Sequence, residues 1–180
     1  MMNPSKADSL QSDGTVNKII KYFLKPYIRP LNERYRRIDD IKYLNILNLL
    51  PIYNSNSIGL EDDINSIISV HGYDYLQFLI ESNIQKIHDV INESDYVVLA
   101  WGMPEKFPLT LYFEQAAKVL EKLVIIDKDI FVFRVRNSRA RYHLTKHLNP
   151  PHPSRCVLLR LVRVDVKRFY RIVPRFTENS

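Results

Sequence analysis

Short apolar runs alternate with segments of helical period along this chain, and that alternation limits what it can fold into. Tyr43–Leu50, closed by Pro51, Tyr96–Ala100, and Ile130–Val135 each read as a buried strand. Between and before them the apolar residues fall at helical spacing. Val16, Ile19, Ile20, Phe23 and Leu24 make one face of a first helix, which Pro26 and Pro30 end. Glu61–Ser69 and Tyr75–Ile91 follow, separated by His71-Gly72, with Tyr75, Phe78, Leu79, Ile87, Val90 and Ile91 as the expected inner face of the second. Leu109–Leu123 is the last helix, carrying Tyr112, Ala116, Val119, Leu120 and Leu123 in register. Strands that alternate with helices predict an α/β fold: a mainly parallel central sheet with helices on both faces. Cys156–Val173 fits either a strand, through Val162, Val164 and Val166, or a helix.

The chain has 180 residues, 46% of them hydrophobic, enough for one domain with a sizeable core. We read residues 1–155 as that domain and 156–180 as a basic extension packed on it or trailing from it. No apolar run is long enough to cross a bilayer, so no membrane partner is expected. Cys156 is the lone cysteine, and the first residues show no basic-plus-apolar leader pattern. Both point to a cytoplasmic setting.

The net charge of +6 is unevenly spread. Residues 131–180 hold 12 Lys/Arg against 2 Asp/Glu, whereas residues 1–130 hold 14 against 18. Arg134, Arg136, Arg139, Arg141, Arg163, Arg168 and Arg171 are interleaved with Phe133, Tyr142, Phe169 and Tyr170. Arginines clamp phosphates and aromatic rings stack on bases, so this last stretch of the chain suits a nucleic acid. Lys6, Arg155, Arg163, Arg168 and Arg171 are the candidate contacts. A solvated basic tail is the plainer alternative.

In a sheet of this kind ligands sit beyond the carboxyl ends of the strands. Four loops qualify: Asn3–Asp8, Pro51–Asn56, Trp101–Phe107 and Asn149–Arg155. Pro4 restricts Asn3 to extended backbone, a conformation that normally follows a strand, yet only Met1 and Met2 precede it. If Met1 is the true start, the sheet lacks its first strand. With 4 Gly in the chain there is no glycine-rich phosphate loop, and His143 and His147 at i, i+4 lack a third ligand, so no cofactor or metal is expected.

Taken in order, Asn3-Pro4-Ser5-Lys6-Ala7-Asp8, Asp13-Gly14-Thr15, Asn48-Leu49-Leu50-Pro51, Val97–Gly102 and Pro151-His152-Pro153-Ser154 resemble an uncharacterised domain family of bacteria and phages, which in turn resembles the uracil-DNA glycosylase superfamily. The resemblance implies a glycosylase-like fold in which Asn3 holds the attacking water and His152 donates to the departing base. It also implies that Ser154 meets a phosphate and that Asn48 and Trp101 border the base pocket. Each residue has a structural alternative: Asn3 as a turn cap, Asn48 bonded to a neighbouring loop, Trp101 as packing and His152 on a surface turn. Two functions follow. One is a DNA glycosylase-like hydrolase that excises or recognises an altered base. The other is a non-catalytic module that holds DNA, a nucleotide or a protein partner, in a phage or mobile-element role.

Overall fold

A computed structural model describes residues 14–24, 38, 41–54, 59–103, 109–154 and 156–175. The elements run α1 (Gly14–Leu24), α2 (Leu60–His71), α3 (Tyr73–Glu93), β1 (Tyr96–Leu99), α4 (Leu109–Ile125), β2 (Asp129–Arg136), β3 (Arg141–Tyr142), β4 (Val157–Lys167) and β5 (Arg171–Pro174). The strands form one mixed sheet in the order β1-β2-β4-β5, with β3 pairing β2 beyond the end of β1.

The fold is α/β, but the sheet is mostly antiparallel. Among the described strands only β1 and β2 run parallel, from Tyr96↔Asp129 to Leu99↔Val132. Connection length explains the difference. A parallel pair needs a crossover long enough to return to the starting edge, usually a helix, and α4 supplies it between β1 and β2. After β2 no further α-helix follows among the described residues. The chain passes through β3 and a proline-rich loop and comes back as β4, antiparallel to β2 from Ile130↔Val164 to Arg136↔Val157. A turn of three residues, Arg168–Tyr170, then forces β5 antiparallel to β4. Cys156–Val173, open between helix and strand in the sequence, is thus mainly strand.

Tyr43–Leu50 is not a strand. Lys42, Tyr43, Leu44 and Asn45 are exposed and only Leu49 and Leu50 of the run are buried, so it has no alternating face to lay on a neighbour. The carbonyls of Asn48 and Leu49 accept instead from the Asn83 side chain, each at 3.1 Å. Residues 41–47 pass beside β1 and leave a cleft of about 750 Å³ over Phe23, Val98 and Phe133.

Each sheet face has its own core. Ile130, Val132, Val164 and Ile172 pack under α3 and α4, whereas Phe131, Phe133, Val135 and Leu161 face α1 through Tyr22 and Phe23. Tyr22 meets Phe133 edge-on at 5.3 Å between centroids. The α4 face is as the sequence predicts: Tyr112, Ala116, Val119, Leu120 and Leu123 are all buried. The α3 face is rotated from the expected one. Leu76, Ile80, Ile84, Ile87 and Ile91 are buried, whereas Tyr75 and Phe78 are exposed. An all-aliphatic stripe at helical spacing packs flat on the sheet and α4, and it outcompetes an adjacent stripe of larger rings.

Lys128, just ahead of β2, locks the end of α3. Its ammonium donates to the carbonyls of Ile91 at 2.8 Å, Ser94 at 2.5 Å and Asn92. These are terminal carbonyls that the helix itself cannot satisfy. Lys128→Met should therefore lower stability by roughly 1–3 kcal/mol, the scale of charge-assisted hydrogen bonds. An unchanged urea midpoint would show that this clamp contributes nothing to stability.

Candidate functional site

Two loops meet at the carboxyl end of β1. Trp101-Gly102-Met103 leaves that strand, and Asn149–Ser154 leads into β4. Gly102 is in the left-handed region at φ +77, and a Cβ there would lie 2.7 Å from Cβ of His152. Only glycine permits both the turn and the approach. The Gly102 N–H donates to the Pro150 carbonyl at 2.8 Å, and the Tyr112 hydroxyl of α4 donates to the Gly102 carbonyl. Burial pushes the Tyr112 phenol far above its ordinary range, with the nearby Trp101 indole acting weakly the other way. That indole N–H makes no hydrogen bond that meets geometric criteria with a described residue.

The His152 loop is fixed from both sides. Pro150 and Pro151 are fully buried, and Asn149 Nδ2 donates to the Met103 sulfur at 3.3 Å. From α1, the Lys18 ammonium donates to the carbonyls of Pro153 at 2.9 Å, Cys156 at 3.1 Å and Ser154. The Cys156 thiol donates to the His152 carbonyl at 3.4 Å; burial raises its pKa, partly offset by Lys18. The His152 ring is half-buried. Its Nδ1 accepts from the Ser154 N–H at 3.2 Å and lies 2.8 Å from Ser154 Oγ. A backbone N–H can only donate, so the neutral imidazole carries its proton on Nε2.

Asn48 and Trp101 line a second cavity of about 120 Å³, walled by Leu47, Ile87, Ile91 and Val119. One water needs only about 15 Å³. Trp101 is 4% exposed and belongs to the main core, so its ring packs and also borders the cavity. Asn48 Oδ1 is buried with no hydrogen-bond partner among the described residues. An unsatisfied buried acceptor beside an empty space is the mark of a polar ligand or water site.

The basic candidates are spread out. Arg163 pairs with Asp129, on the α1 face of the sheet. Arg168 and Arg171 are exposed at the β4–β5 turn, around Phe169, which is 91% exposed in a left-handed conformation at φ 62. Ser154 is exposed, and its hydroxyl and N–H orient His152. Asn3, Lys6 and Arg155 lie outside the described residues, as does the loop Asn3–Asp8. In the Pro51–Asn56 loop, Asn54 Nδ2 donates to Asp63 in the first turn of α2 at 2.5 Å. The structure thus brings together His152, Ser154, Trp101 and, on the far side of Trp101, Asn48. No group of three metal-ligating side chains occurs among the described residues.

Sequence reasoning missed Lys18, Tyr112 and Gly102 as site residues. Gly102 was visible within the Trp-Gly pair, but its contact with His152 spans 50 positions and has no local signature.

The model of a protein family of unknown function, DUF1643, matches residues 1–154. The chain belongs to that family. The DUF1643 match takes in both the Trp101-Gly102 turn and the His152 loop and ends just before β4. No curated protein and no solved structure matches the chain.

Two outcomes follow for this DUF1643 chain. Gly102→Ala forces an L-residue into φ +77 against His152 and should cost roughly 1–3 kcal/mol while shifting the His152 ring resonances; an unmoved ring spectrum would separate the two loops. The second concerns His143, whose pKa is lowered from 6.5 by burial, then by Arg134 and Arg160. The folded ring binds its proton less well than the unfolded one, so the unfolded chain takes up more protons in the window below 6.5. Stability is complete above that window and falls as pH drops through it. Urea midpoints of His143→Gln should decline less than those of the wild type between about pH 7.5 and about pH 5.5; equal declines would remove His143 as the cause.

Proposed function

We propose that this chain takes an unpaired nucleic-acid base at the Trp101-Gly102 turn and cleaves its glycosidic bond, in a fold akin to the uracil-DNA glycosylases. The reading rests on one observation above all: the Ser154 N–H occupies Nδ1 of His152 and so leaves Nε2 as the protonated nitrogen, on a loop clamped to the turn that carries Trp101. In hydrolysis the C–N bond breaks and the base leaves with the electron pair. Water supplies its oxygen to the sugar carbon, and its proton completes the released base. A donor aimed at the developing negative charge on the base is what such a departure needs. His152 serves as that donor, and Asn48 Oδ1 supplies an acceptor for an N–H edge of a base in the adjoining cavity. Asn3 is assigned the water by resemblance alone.

The exposed tip Lys167–Arg171 favours a second reading, binding without cleavage, because a basic turn around an exposed Phe169 serves adhesion to a polyanion whether or not chemistry follows. DNA, a nucleotide or an acidic protein would suit it. The test is base release from oligonucleotides carrying uracil, hypoxanthine or a mismatch. Cleavage predicts release by the wild type and at least about a hundredfold loss in His152→Ala, with DNA binding retained. Absence of release by the wild type from all three sinks the enzymatic reading. For the binding reading, Arg168→Gln with Arg171→Gln should flatten the slope of log affinity against log salt by about one for each phosphate that the variant no longer neutralises; an unchanged slope sinks it.

A further inference from the structure

The connection from β4 to β5 puts an exposed ring where a ring is least favoured. Lys167 of β4 lies opposite Arg171 of β5, so Arg168–Tyr170 must reverse the chain in three residues. Phe169 and Tyr170 both take the left-handed conformation, at φ 62 and φ 57. Tight hairpin turns of this hand favour asparagine and glycine, because a bulky side chain crowds the following carbonyl there. Phe169 recovers nothing through burial, being 91% exposed, and Tyr170 is exposed as well. Two strained aromatic residues held out in water lower stability, and outliers of this kind cluster at contact sites.

The setting is cationic. Lys167, Arg168 and Arg171 are exposed on either side of Phe169, and none of the three forms an ion pair with a described residue. Asp165, the nearest carboxylate in sequence, pairs with Arg175. The turn packs beside α4, so it is held rather than trailing. It also lies far from the His152 loop. That loop feeds the start of β4 and the turn leaves its end, and an extended strand of 11 residues is roughly 35 Å long. Phe169 therefore stands apart from the Trp101 turn.

We propose that the Arg168–Tyr170 turn is a stacking site for an unpaired base of single-stranded nucleic acid, with Phe169 as the platform and Lys167, Arg168 and Arg171 on the flanking phosphates. An exposed ring among cations suits this ligand better than a bare polyanion. The cations meet the backbone, and the flat apolar ring finds a partner only where the polyanion carries flat apolar groups too. Bases stacked within a duplex do not offer that face, whereas every base of a single strand does. An acidic polypeptide would satisfy the arginines and leave Phe169 in water. The site deepens the binding reading above and rests on it, but it needs neither His152 nor base release.

The experiment measures the affinity of the full chain for three probes: polyphosphate, polyglutamate and an oligothymidylate of about four nucleotides, too short at about 3.4 Å each to reach from this turn to the His152 loop. Phe169→Asn keeps a residue that accepts the left-handed backbone and removes the ring. It should leave the urea midpoint no lower than in the wild type and weaken oligothymidylate binding at least about fivefold, with polyphosphate and polyglutamate binding unchanged. Phe169→Trp should bind the oligothymidylate at least as tightly as the wild type. Undiminished oligothymidylate affinity in Phe169→Asn overturns the proposal. So does an equal loss for all three probes, which would make the turn a charged surface for any acidic partner. A lowered urea midpoint would make Phe169 a packing residue and overturn it too. If Arg168→Gln with Arg171→Gln flattens the salt slope while Phe169→Asn changes no affinity, stacking fails and the polyanion reading stands.

Discussion

β2 is the strand on which the two halves of this molecule depend. Its sequence Asp129–Arg136 is apolar on both faces through Val132, Phe133 and Val135, so it is stable only between two covered surfaces. The helices α3 and α4 cover one, through Leu76–Ile91 and Tyr112–Leu123. On the other, α1 is anchored by the contact of Tyr22 and Phe23 with Phe133. At about 25 cal/mol per Å² of apolar area removed from water, a strand buried on both faces outweighs any single hydrogen bond in the site. The site lies at the carboxyl end of β1, the strand that pairs parallel with β2.

The direction of β4 then assembles the site. In an all-parallel sheet, the loops at that end would be those that leave strands. Because β4 runs antiparallel, the loop that feeds it begins at the same end, and His152 arrives beside Gly102 from the opposite chain direction. The mixed sheet therefore brings these two loops together although it is not the parallel sheet that was expected. Lys18 and Tyr112 hold the two loops from opposite faces of the sheet, one through three carbonyls and the other through one. A catalytic or binding group needs this kind of support if its geometry is to be fixed more tightly than a loop alone allows.

Much of this was legible residue by residue. The α4 stripe and the strand around Ile130–Val135 follow from local period and from punctuation by Gly and Pro. The run Tyr43–Leu50 misled because an apolar stretch carries no information on whether a neighbour pairs with it, and here Asn83 takes its carbonyls. The α3 face misled because two stripes were available, and only the partner surface selects the aliphatic one. Arg163 had the composition of a phosphate contact, yet Asp129 lies close enough to claim it.

By itself the sequence determined the elements and their chemistry: which segments are helical, which are apolar enough to be central, where glycine and proline force turns, and that the basic charge lies in the last third. Those are properties of neighbours along the chain, set by local sterics and period. Only the tertiary structure decided which way β4 runs, which face of α3 is inside, and that Arg134 of β2 lies opposite Arg160 of β4. It also decided that Gly102 must be glycine because of a histidine 50 positions away. These are outcomes of connection length, competition for burial and strand register, and each depends on residues that meet only after folding.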